Sequence, residues 1–281
     1  QNRRGGFADG KKSLQNRRGD FILMADDVSG EGRGNNVLAQ LKMRLETGDR
    51  EMGYFQSSSL QGVLVEQLDP DYAKILHRPG FHPYSQYLRQ DREQGLCWTV
   101  QTVTKEAYEA ILLPLLSRDF TAFTIRNRQI PVRIQEKQLK TTAQQALLEE
   151  FYDGADAPRV SLEFLTPTAF KQSGVYVNYP DIRLLLQSLM NKYSAASGNL
   201  EMFDEETLKQ LTECVSVPAY QLRSARFPLE GVKIPAFLGR MMLQVRGSGT
   251  MARYIRLLVR FGEYSGAGIK TGMGMGALRM Q

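Results

Sequence analysis

From residue 37 onward the chain alternates two hydrophobic periods, and their order limits the available folds more than any single motif. VLAQLKMRLE (37–46) alternates apolar and polar residues, the mark of a half-buried strand. In SSSLQGVLVEQL (57–68), Leu60, Val63, Leu64 and Leu68 share one helical face, and the serines before them are candidate N-caps. Asp69-Pro70 breaks that helix, and DPDYAKILH opens a second one that ends before Arg78-Pro79-Gly80. CWTVQTV (97–103) reads as a strand, KEAYEAILLPLL as a helix, and FTAFTI and IPVRIQ as further strands. Strand–helix–strand–strand–helix–strand is the split βαβ pattern of a ferredoxin-like domain.

The order then repeats. RVSLEFL (159–165) is a strand, and PDIRLLLQSLMNKYSAAS is a strongly amphipathic helix opened by Pro180-Asp181. DEETLKQLTECV is another helix, and AYQLRSARFPLEGVKIPAFLGRMMLQV supplies two or more strands around a turn. The helix TMARYIRLLVRFGEY, a glycine-rich stretch and a short terminal strand, GALRM, follow. No close sequence repeat links the halves, so the likeness is architectural. The class is α+β, with two tandem ferredoxin-like (βαββαβ) domains and a C-terminal glycine-rich loop. The boundary is expected near AQQALLEEFYDGADAP, giving domains at 37–153 and 154–281 with Gly154 to Pro158 as the linker. Residues 1–36 repeat QNRRG at 1–5 and 15–19 and carry too little apolar surface to offset ordering entropy. They read as a flexible N-terminal extension or linker, with an RNA-binding arm as the less favoured reading.

Composition excludes several classes. Of 281 residues, 42% are hydrophobic and 23% charged, the balance of a soluble globular chain. No apolar run approaches the ~20 residues of a membrane helix, and the first residues lack a secretory apolar core, so a cytoplasmic protein is expected. Cys97 and Cys214 lie in no CxxC or Cys/His pattern, which argues against zinc and for two buried thiols. No metal site and no cofactor are expected. The net charge of +6 favours a polyanionic partner.

GAGIKTGMGMG (266–276) brings the argument to function. It is not a nucleotide-hydrolysing phosphate loop, because Ile269 rather than glycine precedes Lys270-Thr271. Nor is it a dinucleotide fingerprint, since Thr271 stands where the third glycine belongs. What remains is a backbone cradle for a phosphate chain. Gly266, Gly268, Gly272, Gly274 and Gly276 let N–H groups approach phosphates without a Cβ in the way. Lys270 adds a charge, and Thr271 stands beside it. In the preceding helix Arg253, Arg256 and Arg260 line one face, expected to form one wall of an RNA groove beside the loop.

GEYSGAGIKTGMGMG after an amphipathic helix resembles the C-terminal glycine-rich loop of the CRISPR-associated repeat endoribonucleases, of the repeat-associated mysterious protein superfamily. LQGVLVEQLDPDYAKILH followed by PYSQYL resembles the family's first helix and the stretch after it. FLTPTAFKQSGVYVNYPDIRLLLQSLMNKY resembles the opening of its second domain. The likeness covers about residues 37–281. It implies two ferredoxin-like domains and cleavage of precursor CRISPR RNA within its repeats. It also implies metal-independent chemistry, in which a 2′-hydroxyl attacks the adjacent phosphate to leave 2′,3′-cyclic phosphate and 5′-hydroxyl ends.

The chain's two histidines, His77 and His82, both lie where the resemblance puts the family's histidine, and His77 matches it by position. Some members carry a tyrosine in the first helix, but none stands near Val65; Tyr54 and Tyr84 are the substitutes within reach, and His82 is a stronger one. A lysine found soon after the histidine is missing from RPGFHPYSQYL. The expected partner is CRISPR repeat RNA, with other CRISPR effector or adaptation proteins as further candidates, engaged through a fused N- or C-terminal domain. The rival reading is a non-catalytic RNA-binding subunit of a CRISPR effector complex on the same fold. A generic RNA-recognition module is disfavoured by the lack of an aromatic-rich strand of the RNP1 form.

Overall fold

The computed structural model describes residues 37–49, 51–198 and 202–281, so the proposed extension at 1–36 lies outside the described residues. The first half runs β1 (Val37–Thr47), α1 (Ser57–Val65), α2 (Pro70–Leu76), β2 (Tyr84–Asp91) and β3 (Gly95–Thr102). A helical stretch follows, built from α3 (Lys105–Ala107), a π-helical turn (Tyr108–Leu112) and α4 (Leu113–Leu116). The half ends with β4 (Ala122–Ile125) and β5 (Ile130–Ala143). The strands form one antiparallel sheet in the order β2-β3-β1-β5-β4. Without the edge strand β4 this is the ferredoxin-like order. Leu41, Met43 and Leu45 of β1 point to the helices and are buried, as the period-2 pattern requires. Asp69 caps α2, accepting from Asp71 N (2.9 Å) and Tyr72 N (3.3 Å), with Pro70 in the first turn.

Helix α5 (Gln144–Asp153) joins the halves, and the second begins with β6 (Arg159–Thr168) and a small hairpin, β7 (Phe170–Gln172) and β8 (Val175–Val177). Then come α6 (Ile182–Ser197), α7 (Glu205–Cys214), β9 (Val215–Leu229), β10 (Val232–Val245), α8 (Gly249–Ser265) and β11 (Leu278–Met280). The order β11-β6-β10-β9 is again ferredoxin-like, and antiparallel throughout. Its largest core cluster gathers Phe164, Leu189, Tyr193, Leu258 and Phe261, and it includes Leu147 of α5 as well as Leu38 and Val103 from the first half. Helix α5 therefore packs on α8. Cys97 is buried and Cys214 half-buried, both as free thiols, which corrects the expectation of two buried ones.

Two local expectations differ from the structure. YSQYLRQD forms β2, where the sequence suggested no strand. Tyr84, Ser85, Gln86 and Leu88 are all buried, so polar residues occupy positions that a hydrophobic pattern leaves unmarked. The serines at 57–59 do not cap α1 but form its first turn: a 3-10 turn (Tyr54–Gln56) leads in, and no side chain caps the helix. Ser57 instead faces β2, where its Oγ accepts from Leu88 N at 3.0 Å.

That contact helps seat the glycine-rich loop. The segment from Gly266 to Ala277 folds back across α1 and β2 through a 3-10 turn (Thr271–Met273). Beneath it a small apolar cluster joins Met275 to Ala169, Phe227, Ile234 and Ala236. A Cβ on Gly274 would overlap Ser57 Cβ, and one on Gly268 would overlap the Ala169 carbonyl; both residues sit at positive φ, +107° and +76°. The glycines thus admit the protein's own atoms. This corrects the reading in which the absent Cβ makes room for an approaching phosphate. Gly274→Val should accordingly lower the melting temperature, since overlap and left-handed backbone together cost ~2 kcal/mol or more, about 4–8 °C for a chain of this size. Gly62→Ala, with nothing within 4 Å of its Cβ, serves as the control and should leave it unchanged or slightly raised. A Gly274→Val protein that melts with the parent would show that the loop is not seated on α1.

Candidate functional site

Where the loop crosses the first half, a cleft of about 660 Å³ opens between the α2–β2 segment on one side and α6 with the loop on the other. Its first wall is the segment from Leu76 to His82 with Gln61 and Tyr84; its second is Asn191 and Lys192 of α6 with residues 268–273. Arg78, Lys192, Lys270 and both histidines line it, and none of the lining residues is Asp or Glu. Such a one-signed cleft concentrates anions.

His77 stands at the C-terminal cap of α2, placed there by the stop before Arg78-Pro79-Gly80, and its side chain is exposed. His82 lies just before β2, its ring edge-on to Tyr84 with centroids 6.4 Å apart. Partial burial lowers the His82 pKa from its ordinary value, and electrostatic interaction with Lys270, His77 and Lys192 lowers it further. The imidazole is therefore held toward its neutral, proton-accepting form. Tyr84 is 2% exposed, and its hydroxyl accepts from Gln61 Nε2 at 3.3 Å. Burial raises its pKa, against the opposing effect of the Gln61 bond, so it stays a neutral phenol.

The loop's backbone supplies the rest. Eight of its N–H groups from Gly266 to Gly276 donate within the protein: for example, Gly268 to Ser188 Oγ (2.9 Å), Ile269 to Ala169 O (3.0 Å) and Gly276 to Pro167 O (3.0 Å). The N–H groups of Lys270, Thr271 and Gly272 donate to no acceptor among the described residues. Lys270 is left-handed (φ 56°, ψ 34°), which turns the chain so that this consecutive trio opens the 3-10 turn at the cleft. Consecutive N–H groups in such a bend form an anion-binding concavity. Behind them Lys192 Nζ donates to Ser265 O (3.2 Å), Gly266 O (3.0 Å) and Thr271 Oγ1 (3.3 Å). Burial lowers the Lys192 pKa to about 7, while the three oxygens hold its charged form in place.

Of the residues singled out in the sequence, His77, His82, Tyr84, Gly268, Lys270, Thr271 and Gly272 meet in this cleft. Others do not. Tyr54 packs edge-on to Phe55 and beside the small cluster under the loop. Gly266, Gly274 and Gly276 are buried in the loop's packing, closed on Thr271, Ser57 and Ala267. The arginine stripe faces α5 and is no wall of this groove: Arg253 pairs with Asp156 (3.5 Å), Arg260 with Glu150 (3.5 Å), and Arg256 lines the same α5–α8 crevice. Lys192 and Gln61 are among the cleft residues that the sequence does not mark. Lys192 looks like one more polar residue on an amphipathic helix, and Gln61 sits between apolar helix positions; neither has a motif around it. Among the described residues no group of three or more His, Cys, Asp or Glu side chains is placed to hold a metal ion, and no helix is long and apolar enough to cross a membrane.

Comparison with known proteins places this arrangement. The family model for the CRISPR-associated endoribonuclease Cas6 matches residues 162–278. A Cas6 endoribonuclease of Mycobacterium tuberculosis is 36% identical over 264 residues, covering 93% of this chain and 84% of that protein. One from Streptococcus thermophilus is 34% identical over 220 residues, covering 78% of this chain and 89% of that protein. Among solved structures, a Cas6 product complex superposes with a TM-score of 0.71 at 24% identity, covering 87% of this chain and 99% of that one. Thermus thermophilus Cas6 does so with 0.66 at 21% identity, covering 89% and 100%. These structural matches share the fold of two ferredoxin-like units. With more than a third of its residues identical to a curated relative across nearly its whole length, this chain belongs to the CRISPR-associated endoribonuclease Cas6 family.

Proposed function

We propose that this protein cleaves precursor CRISPR RNA within its repeats, by metal-independent attack of a ribose 2′-hydroxyl on the neighbouring phosphate. The observation that carries this reading is the convergence of both histidines and the three unbonded loop N–H groups on one cationic cleft. In-line transfer needs a base at O2′, an acid at O5′ and donors for the non-bridging phosphate oxygens. His82, kept toward its neutral form by its surroundings, takes the proton from O2′. O2′ then bonds to phosphorus, and O5′ leaves with a proton from His77. The products are a 2′,3′-cyclic phosphate and a 5′-hydroxyl. The N–H groups of Lys270, Thr271 and Gly272, with the Lys270 side chain, hold the charge that builds on phosphate. Tyr84, a neutral phenol under Gly272, supports the loop and is no proton acceptor at neutral pH; a Cβ on Gly272 would stand 2.9 Å from its hydroxyl.

The role of guide-RNA maker comes from the named activity of the relatives and from the anion-binding geometry. The division into domains at 37–153 and 154–281 is part of the same proposal; α5, at the end of the first, lies on α8 of the second and ties them together.

Two experiments test it. His77→Ala and His82→Ala should each slow cleavage of a repeat RNA by ~10²-fold or more while leaving RNA affinity within a few-fold. If only one slows the reaction, the other is not a proton-transfer group, and if neither does, the two-histidine mechanism is wrong. Separately, a single 2′-deoxy nucleotide just upstream of the cut should abolish cleavage, and EDTA should have no effect. Activity that is lost in EDTA and restored by Mg²⁺ would point instead to metal-assisted hydrolysis.

A further inference from the structure

We propose that Gln86 and Lys192 are positioning residues that clamp the Lys270–Gly272 segment from opposite sides and aim its three N–H groups into the cleft. The proposal rests on the reading of the cleft as the cleavage site.

Gln86 belongs to β2, in the other half of the molecule from the loop, and is 1% exposed. Its Nε2 donates to Gly272 O (3.1 Å) and Ser57 O (2.7 Å), so both amide hydrogens are used. Its Oε1 accepts from Trp98 Nε1 at 2.8 Å, and Trp98 is fully buried on the next strand. The indole N–H can only donate, so it fixes which end of the amide points to the loop. Gly272 is thereby gripped by its carbonyl while its N–H stays unbonded.

Lys192 works from α6. It holds the last carbonyls of α8, at Ser265 and Gly266, together with the hydroxyl of Thr271 five residues on. A cation at a helix C-terminus offsets the carbonyl charge there. Here it also closes the two ends of the Gly266–Thr271 bend into one fixed shape. The two grips act on adjacent residues, Thr271 and Gly272, and come from different halves of the fold. Donors that stabilise a reacting phosphate act through being held in place before reaction, so loosening either grip should cost rate more than affinity. Both residues are satisfied by protein atoms alone, which makes them supports and not catalytic residues.

The test compares the intact parent chain with Lys192→Met, Lys192→Arg and Gln86→Glu at about pH 6.5, where the Lys192 ammonium form that donates to three oxygens predominates. In Gln86→Glu burial keeps the new carboxyl protonated, so it still accepts from Trp98 but has one O–H in place of two N–H donors and can no longer hold Ser57 O and Gly272 O together. Single-turnover cleavage is measured at saturating protein on a synthetic RNA of the CRISPR repeat from the source genome. Affinity is measured with its 2′-deoxy analogue, and stability by thermal melting. The expected result is a ~10²-fold slower cut for Lys192→Met and Gln86→Glu, an affinity change within about tenfold, melting lowered by no more than about 12 °C with the chain folded at the assay temperature, and partial recovery in Lys192→Arg. A parent that cuts beside variants that cut within about threefold of it overturns the clamp alone. So does a loss of rate that only tracks lost melting temperature, with Lys192→Arg no better than Lys192→Met. If Lys192→Met does not fold, Gln86→Glu decides by the same criteria. A parent that leaves the repeat RNA intact overturns the cleavage reading, and the clamp with it.

Discussion

The contact on which the site depends is the seating of the glycine-rich loop on β2. Trp98 orients the Gln86 amide, Gln86 holds both Ser57 and Gly272, and Ser57 bonds Leu88 and packs under Gly274. Trp98, Gln86 and Ser57 are all buried, so a broken link would leave an unpaired polar group costing ~1–3 kcal/mol. Nearby, Ser85 Oγ donates to Tyr264 O (2.7 Å) and Gln101 to Glu263 O, which pins the end of α8 to the same sheet. Arg89 of β2 reaches Glu163 of β6 (3.8 Å), which also pairs with Arg279 (2.6 Å). The two ferredoxin-like units are thus locked at the place where the cleft forms. A site split between two units needs that rigidity, because misplacement of about 1 Å is enough to lose much of the benefit of preorganised donors.

Electrostatics follows from the same arrangement. The chain's excess of +6 says little by itself, because many of its arginines and lysines sit beside carboxylates. Glu163 alone gathers Arg89, Arg240 and Arg279 and has its pKa lowered, against burial, by those guanidinium groups. The cleft differs in having cations and no acid in its lining. Burial depresses the pKa of both His82 and Lys192, and at His82 the neighbouring cations add to it. A phosphate bound in the cleft would favour the charged form of each.

Much of this was legible in the sequence. The alternation of periods pointed to two ferredoxin-like units, and Asp69-Pro70 and Pro180-Asp181 marked helix starts that the structure retains. The sequence itself singles out His77, His82, Tyr84 and Lys270, and the fold brings them to one cleft. The failures share a cause. Strand β2 hides because it is buried on both faces and carries Ser85 on one and Gln86 on the other, polar side chains with partners in distant segments, and periodicity registers only apolar ones. Lys192 hides for the same reason: its acceptors are backbone oxygens 73 and 74 residues away. The arginines of α8 misled in the opposite direction. Their spacing suggested an open basic face, but α5 lays Glu150 against it and the segment after it adds Asp156. The glycines stand where the loop needs them, with the physical reason inverted: they let it pack inward on the protein's own atoms, while the N–H groups of Lys270, Thr271 and Gly272 bond to no acceptor among the described residues.

The central claim, that the Lys270–Gly272 amides bind the phosphate at which RNA is cut, is tested most directly by following those amides. Backbone amide resonances of the ¹⁵N-labelled protein would be recorded during titration with a repeat RNA carrying a 2′-deoxy block at the cut. The three amides should shift downfield as hydrogen bonds to phosphate form. The His77 and His82 imidazole signals should move in the same titration step. RNA that binds and shifts residues elsewhere, leaving these three amides and both imidazoles unmoved, would contradict the claim.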